Sequence, residues 1–226
     1  MRFAVGAGLL VTSVAGCSSG TVTEAPGSTV PTPAGVPSPV AVSEQTSGIP
    51  AAAILQPADT RGAEAQPVEK GDFAHVRPLR PCGADPYPSD GTRTDAVAMR
   101  FTVPGEQAGS TPSTVVEFVG RHRSGGAAAQ FTQIEAALER CPGGLGENQH
   151  RWTVVESDSG SMLVKIEQKI SYGDEDPATV AHFAALSTVN DAVVVVADLG
   201  WENMDGSEQL VRDLITKAEQ RAAVIG

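Results

Sequence analysis

An α+β fold is what this sequence predicts: one curved antiparallel β-sheet with two helices packed on one face. Three observations lead to it. Six stretches carry the short, β-branched or alternating apolar pattern of strands, and two carry the 3.6-residue spacing of helices. Short turns join successive strands, which favours antiparallel pairing. In chain order the elements read β-β-α-β-β-β-β-α.

Ala96 to Val103 (AVAMRFTV) and Thr114 to Arg123 (TVVEFVGRHR) form the first strand pair, split by the turn-rich run from Pro104 to Pro112. From Gly125 to Cys141 the spacing turns helical. Phe131, Ile134, Leu138 and Cys141 make one apolar stripe, Ser124 is the expected N-cap, and Pro142-Gly143 is the stop. Arg151 to Glu156 (RWTVVE) and Met162 to Tyr172 (MLVKIEQKISY) are the next two strands. In the second, Met162, Val164, Ile166 and Ile170 oppose a set that includes Lys165, Glu167 and Lys169, as in a half-buried strand. Thr179 to Val189 and Ala192 to Leu199 flank Asn190-Asp191, a dipeptide suited to a two-residue turn. Val193 to Val196 is apolar throughout and marks a central strand. Gly206 to Val224 closes the chain as a helix. Ser207 is its N-cap, and Leu210, Leu214, Ala218 and either Arg221 or Ala222 lie on one side.

The 226 residues suit one domain with tails. Alanine, glycine, valine and threonine abound and lysine is scarce beside arginine, a bias that fits a high-GC bacterium such as an actinobacterium. The formal net charge of -11 repels nucleic acid and anionic headgroups, so neither is expected as the main partner.

The start of the chain has its own grammar. One basic residue, Arg2, precedes an apolar run from Phe3 to Val14 that is too short to span a bilayer. It ends in Val14-Ala15-Gly16-Cys17, which resembles the lipobox of bacterial lipoproteins. That resemblance implies a signal peptide over residues 1–16. It also implies a diacylglycerol (palmitate-type) anchor on Cys17, firm because two acyl chains hold where one does not. The competing reading is a plain secretory signal cut near Ala15, which leaves a third, free cysteine. Residues 17–70 are rich in Pro, Ser, Thr, Ala and Val without an aromatic residue, and are expected to be a disordered tether, with a brief helix or docking segment over Ile49 to Leu55 as a lesser alternative. At about 3.1 Å per residue it would reach roughly 100 Å or more. The domain is placed at 71–226, with an irregular, proline-punctuated arm from Phe73 to Pro88.

With Cys17 assigned to lipid, Cys82 and Cys141 remain as an even pair in an oxidising compartment and read as one disulfide. Two unpaired buried thiols are the alternative. The remaining residue types yield no catalytic centre. His75, His122, His150 and His182 are scattered without metal-ligand spacing, and no G-x-S-x-G occurs, so no metal, cofactor or nucleophile is expected. Gly143-Gly144-Leu145-Gly146 follows a helix and reads as its cap and loop rather than a phosphate cradle. Asp174-Glu175-Asp176 reads as a solvated hairpin tip. Glu117, Glu167 and Asp198 fall in strands with nothing to mark a catalytic pair. Trp152 and Trp201 are the candidate ligand-binding residues, with core packing as the competing role.

Val115-Val116-Glu117-Phe118, the helix end Ala136 to Cys141, the Trp-led strand after it, and the strand Asn190 to Val196 together resemble one family. They are similar to the extracellular sensor domains of mycobacterial PknH-type Ser/Thr kinases and their free-standing lipoprotein relatives, over Thr94 to Ala223. The resemblance implies an α+β domain with a cleft for an envelope ligand, and no catalysis. Family members carry two disulfides; Cys141 matches the helix-end cysteine, whereas Cys82 lies upstream of the matched region. The expected function is therefore a non-enzymatic sensor or ligand-binding domain, lipid-anchored on the extracytoplasmic face of the cell membrane. Its partner would be an envelope ligand or protein. The alternative is an envelope lipid or glycolipid carrier, and an enzyme acting on cell-wall polymer ranks last.

Overall fold

A strand that is apolar at every position must be covered on both faces, because neighbouring residues point to opposite sides of a sheet. That requirement shapes this molecule. The computed structural model describes residues 48–171 and 176–226. The signal, Cys17 and the tether up to residue 47 lie outside the described residues, as do Asp174 and Glu175 of the acidic trio.

The elements are β1 (Gln66–Pro67), β2 (Arg93–Val103), β3 (Ser113–His122), α1 (Gly126–Arg140), β4 (His150–Asp158), β5 (Ser161–Ile170), β6 (Ala178–Val189), β7 (Ala192–Asp198) and α2 (Glu208–Ala222). The seven strands form one antiparallel sheet in the order β1-β2-β3-β7-β6-β5-β4. The α+β class and the predicted order of strands and helices hold, with β1 as a short addition at one edge. No helix among the described residues is long and apolar enough to cross a membrane.

The placement of the helices differs from expectation. All of β7 is buried. Val193, Val195 and Ala197 share a core with Val116 and Phe118 of β3 and with Phe131, Ile134 and Leu138 of α1. Val194 and Val196 share another with Val115, Val119 and Phe101 and with Leu210, Leu214, Ala218 and Ala222 of α2. The helices therefore cover opposite faces rather than one, because β3 and β7 are apolar on both sides and a single layer would leave one side wet.

The α2 face recruits a further cover. Ile49, Ala53, Ile54, Leu55 and Ala63 are buried there, and the Leu55 amide donates to the Glu117 carboxylate at 2.9 Å. Gln66 and Pro67 then pair with Arg100 and Met99 of β2. Residues 48–70, expected in the tether, thus pack with the domain, which extends N-terminal of Gly71. A run of small and branched apolar residues, too short for a period, supplies what the sheet lacks.

Local turn chemistry follows the sequence closely. Asn190-Asp191 makes the two-residue turn, with Asn190 at φ 52° and Val189 facing Ala192. The Ser207 hydroxyl accepts from the Leu210 amide at 3.2 Å and caps α2. At α1, however, the cap is Gly125 instead of Ser124. It sits at φ 78°, a left-handed geometry that glycine takes without strain, and carries no side-chain cap. At the far edge, β4 exposes Val154 and Val155 beside a register shift and the charges of Arg151, Glu156 and Asp158, features that blunt an open edge.

Candidate functional site

Trp152 lies near the start of β4, opposite Ile166 of β5, which lies opposite His182 of β6. The period of two sends all three to the α1 face. The arm of residues 71–92 folds over this end of the sheet, burying Val76 and Leu79 in the α1-side core. Between the arm and the loop from Gly143 to Trp152 runs a groove of about 710 Å³. Phe73, His75, Arg77 and Arg80 border it from the arm, and Gln149, His150 and Trp152 from the strand side. A smaller depression of about 320 Å³, beside Arg61 and the loop after β2, has no aromatic side chain in its lining.

Two constraints hold the arm. The first is the disulfide between Cys82 and Cys141, with Cα atoms 5.2 Å apart, which ties the arm to the end of α1. Closing a loop with a sequence separation of 59 stabilises the fold by about 4 kcal/mol on the chain-entropy model. The second is Asp90. Its carboxylate accepts from Arg80 at 2.6 Å, from the Tyr87 amide at 2.8 Å, from Gln130 of α1 at 2.8 Å, and from Arg93. Burial alone would push the Asp90 carboxyl up, but Arg80, the Tyr87 amide and Arg93 outweigh it and hold it below the usual carboxylate range. Arg80 also lies over the Tyr87 ring, 4.5 Å from its centroid. On the other wall Gly143, at φ 69°, lies so close to the His150 carbonyl that a side chain there would overlap it.

The groove brings together histidines that the sequence leaves far apart. The His75 and His150 rings stack with centroids 4.6 Å apart at 13°, and Trp152 meets both edge-on at 6.3 and 6.2 Å. His182 stands close enough to act on His75, and His150 close enough to act on His182. Burial, followed by the neighbouring His150, pushes His75 and His182 down to about 4. Burial also lowers His150, whose Nε2 lies 3.0 Å from the Gln168 side-chain oxygen. Near neutral pH His75 and His182 are therefore uncharged. Stacked rings aim their nitrogens along parallel planes and do not converge on an ion. Among the described residues no group of three His, Cys, Asp or Glu side chains is placed to hold a metal.

Of the two tryptophans, Trp152 lines the groove and is 5% exposed. Trp201 is half-buried in the turn between β7 and α2, outside the groove lining. The strand carboxylates do not form a pair. Glu117 Oε2 takes the Leu55 amide while its Oε1 has no partner, and burial pushes the carboxyl up to about 8. Asp198 accepts from the Gly200 and Ser207 amides at 2.9 and 2.7 Å, fixing the turn into α2, and burial raises it too. Glu167 pairs with Lys165 and Arg151 at the surface. The histidine cluster and Arg77 are what sequence reasoning missed. Only the row Trp152–Ile166–His182 carried a signal, and reading it requires the strand register.

No family model and no curated protein matches this sequence. Among solved structures the chain is similar to the extracellular domain of PknH from Mycobacterium tuberculosis, with a TM-score of 0.45 and 17% identity. The likeness covers 75% of this chain and 94% of that chain.

The buried titratable groups set opposing pH dependences. His75 and His182 have folded values below the ordinary 6.5, so the unfolded chain binds more protons between pH 6.5 and 4, and stability falls as the pH drops through that range. Glu117 has a folded value above its ordinary 4.5, so its contribution falls as the pH rises from 4.5 to about 8. Denaturant titrations should give maximal stability at about pH 6.5, with Glu117→Gln removing the alkaline decline. A Glu117→Gln curve parallel to the wild type would contradict the assignment.

Proposed function

We propose that this chain is a membrane-anchored extracytoplasmic lipoprotein whose domain binds a small ligand in the groove between the arm and β4, without catalysis. The observation that carries the binding role is the groove itself. Its wall is cross-linked to the body of the domain, and two bordering side chains, His75 and Arg77, keep buried nitrogens (Nε2 and Nε) without a hydrogen-bond partner. Buried polar atoms are paired in folded proteins as a rule, so a ligand that pairs these relieves a standing penalty. The lining holds imidazoles but no serine, cysteine, lysine or carboxylate with which to build a nucleophile or an acid–base pair. A lipid carrier needs a large enclosed apolar cavity. This groove is open and bordered by guanidinium and imidazole groups.

What supports the anchor is the run from Arg2 to Cys17, and what supports the compartment is the disulfide, since such bonds persist outside the reducing cytosol. The sequence resemblance to PknH-type sensor domains points the same way.

Two experiments test the parts separately. Cys17→Ala should move the protein from the membrane fraction to the medium; retention in the membrane would contradict anchoring. Ala84→Trp places a large side chain at the exposed rim of the groove. Native mass spectrometry of the full chain from an actinobacterial host should find a small molecule on the wild type and none on Ala84→Trp, at unchanged thermal stability. Equal occupancy in both would place the ligand elsewhere.

A further inference from the structure

Charge is distributed against the trend of the molecule at the groove. The chain carries a net charge of -11, yet the lining contains two arginines, two histidines and no carboxylate. The two arginines are not equivalent. Arg80 is committed to Asp90 at 2.6 Å. Arg77 donates one bond, to the Glu69 carbonyl at 3.1 Å, leaves its Nε buried without a partner, and makes no ion pair among the described residues. Burial lowers the Arg77 guanidinium from its ordinary value, and Asp72 offsets this only in part. A guanidinium whose Nε is buried without a partner leaves one hydrogen bond unmet, and a planar anion is the partner its fork of donors fits. Beside it stand the unpartnered His75 Nε2 and the apolar surfaces of Phe73 and Trp152.

We infer that the groove takes an organic anion, its carboxylate or phosphate held by Arg77 and its apolar body laid against Phe73, the His75–His150 stack and Trp152. The inference rests on the groove being a ligand site and adds the chemical class of the ligand. A neutral His75 suits such a site, since its unpartnered Nε2 can carry the ring's one N–H and donate it to the anion.

The test uses three ring probes on the full-length protein: phenyl phosphate, benzoate and phenol, each titrated while the His75 and His150 imidazole signals are followed by NMR. At least one of the two anions should shift these signals saturably and bind at least tenfold more tightly than phenol. Which of the two binds better identifies phosphate or carboxylate as the preferred group. Arg77→Gln should weaken the anion at least tenfold, and Arg77→Lys should recover part of the loss. Arg61→Gln, in the smaller depression, should change nothing. Phenol binding as tightly as the anions, or an affinity indifferent to both Arg77 variants, would overturn the anionic class while leaving the groove a ligand site. If no probe moves either histidine, both the class and the site fall.

Discussion

The molecule depends on a strand that water cannot touch from either side. Each of the seven residues of β7 is buried, and β3 beside it is buried from Val115 to Gly120. A sheet with such a centre has no solvent face, so it must carry a layer on each side. The helix α1 provides one. The helix α2 provides the other, together with the short segment from Ile49 to Ala63. Fully burying a Leu or Ile side chain stabilises by about 1.5–3 kcal/mol. That gain, with the Glu117 bond and the pairing to β2, draws a stretch resembling a linker onto the domain. Glu117 marks the join: a buried carboxyl that accepts the Leu55 N–H and has no other hydrogen-bond partner among the described residues.

The groove follows from that arrangement. With the helices covering the middle of the sheet, the β4 end of the α1 face is covered by the arm, an irregular segment with little regular hydrogen bonding of its own. The disulfide and the Asp90 cluster supply the rigidity that periodic structure would otherwise give. A wall built this way need not pack flush against its neighbour. The gap that remains between arm and strand holds two of the partnerless buried nitrogens, His75 Nε2 and Arg77 Nε, and the stacked imidazoles. A preformed concavity with a few convergent polar groups fits the ligand site proposed for it.

Local signals made most of the elements legible in the sequence. Apolar alternation found the strands, the Phe131–Ile134–Leu138 stripe found α1, and Asn190-Asp191 and Ser207 marked a turn and a cap. The run Val193 to Val196 already implied that both sheet faces are covered, and hence that the helices separate, although economy of layers suggested one face. Ser124 lost the cap position to Gly125 because a left-handed backbone there outweighs side-chain capping. Most of segment 48–70 was hidden by its composition, which resembles a linker until one asks what covers Phe101 and Val115; only Ile49 to Leu55 stood out, as a minor docking candidate. Of the residues lining the groove, only Trp152 was singled out in the sequence as a candidate ligand contact. His75, His150 and His182 meet through the fold of a proline-rich arm and a three-strand register, and neither leaves a pattern along the chain.

The most direct test of this account is hydrogen exchange on the intact chain, followed by mass spectrometry through residues 48–70. If the sheet centre demands a cover on both faces, the amides of Leu55, Thr60 and Ala63, which are bonded to Glu117 and within the segment, should exchange as slowly as the outer strands. Complete exchange of this segment within seconds, at the rate of an unstructured peptide and alongside a protected β7, would contradict it.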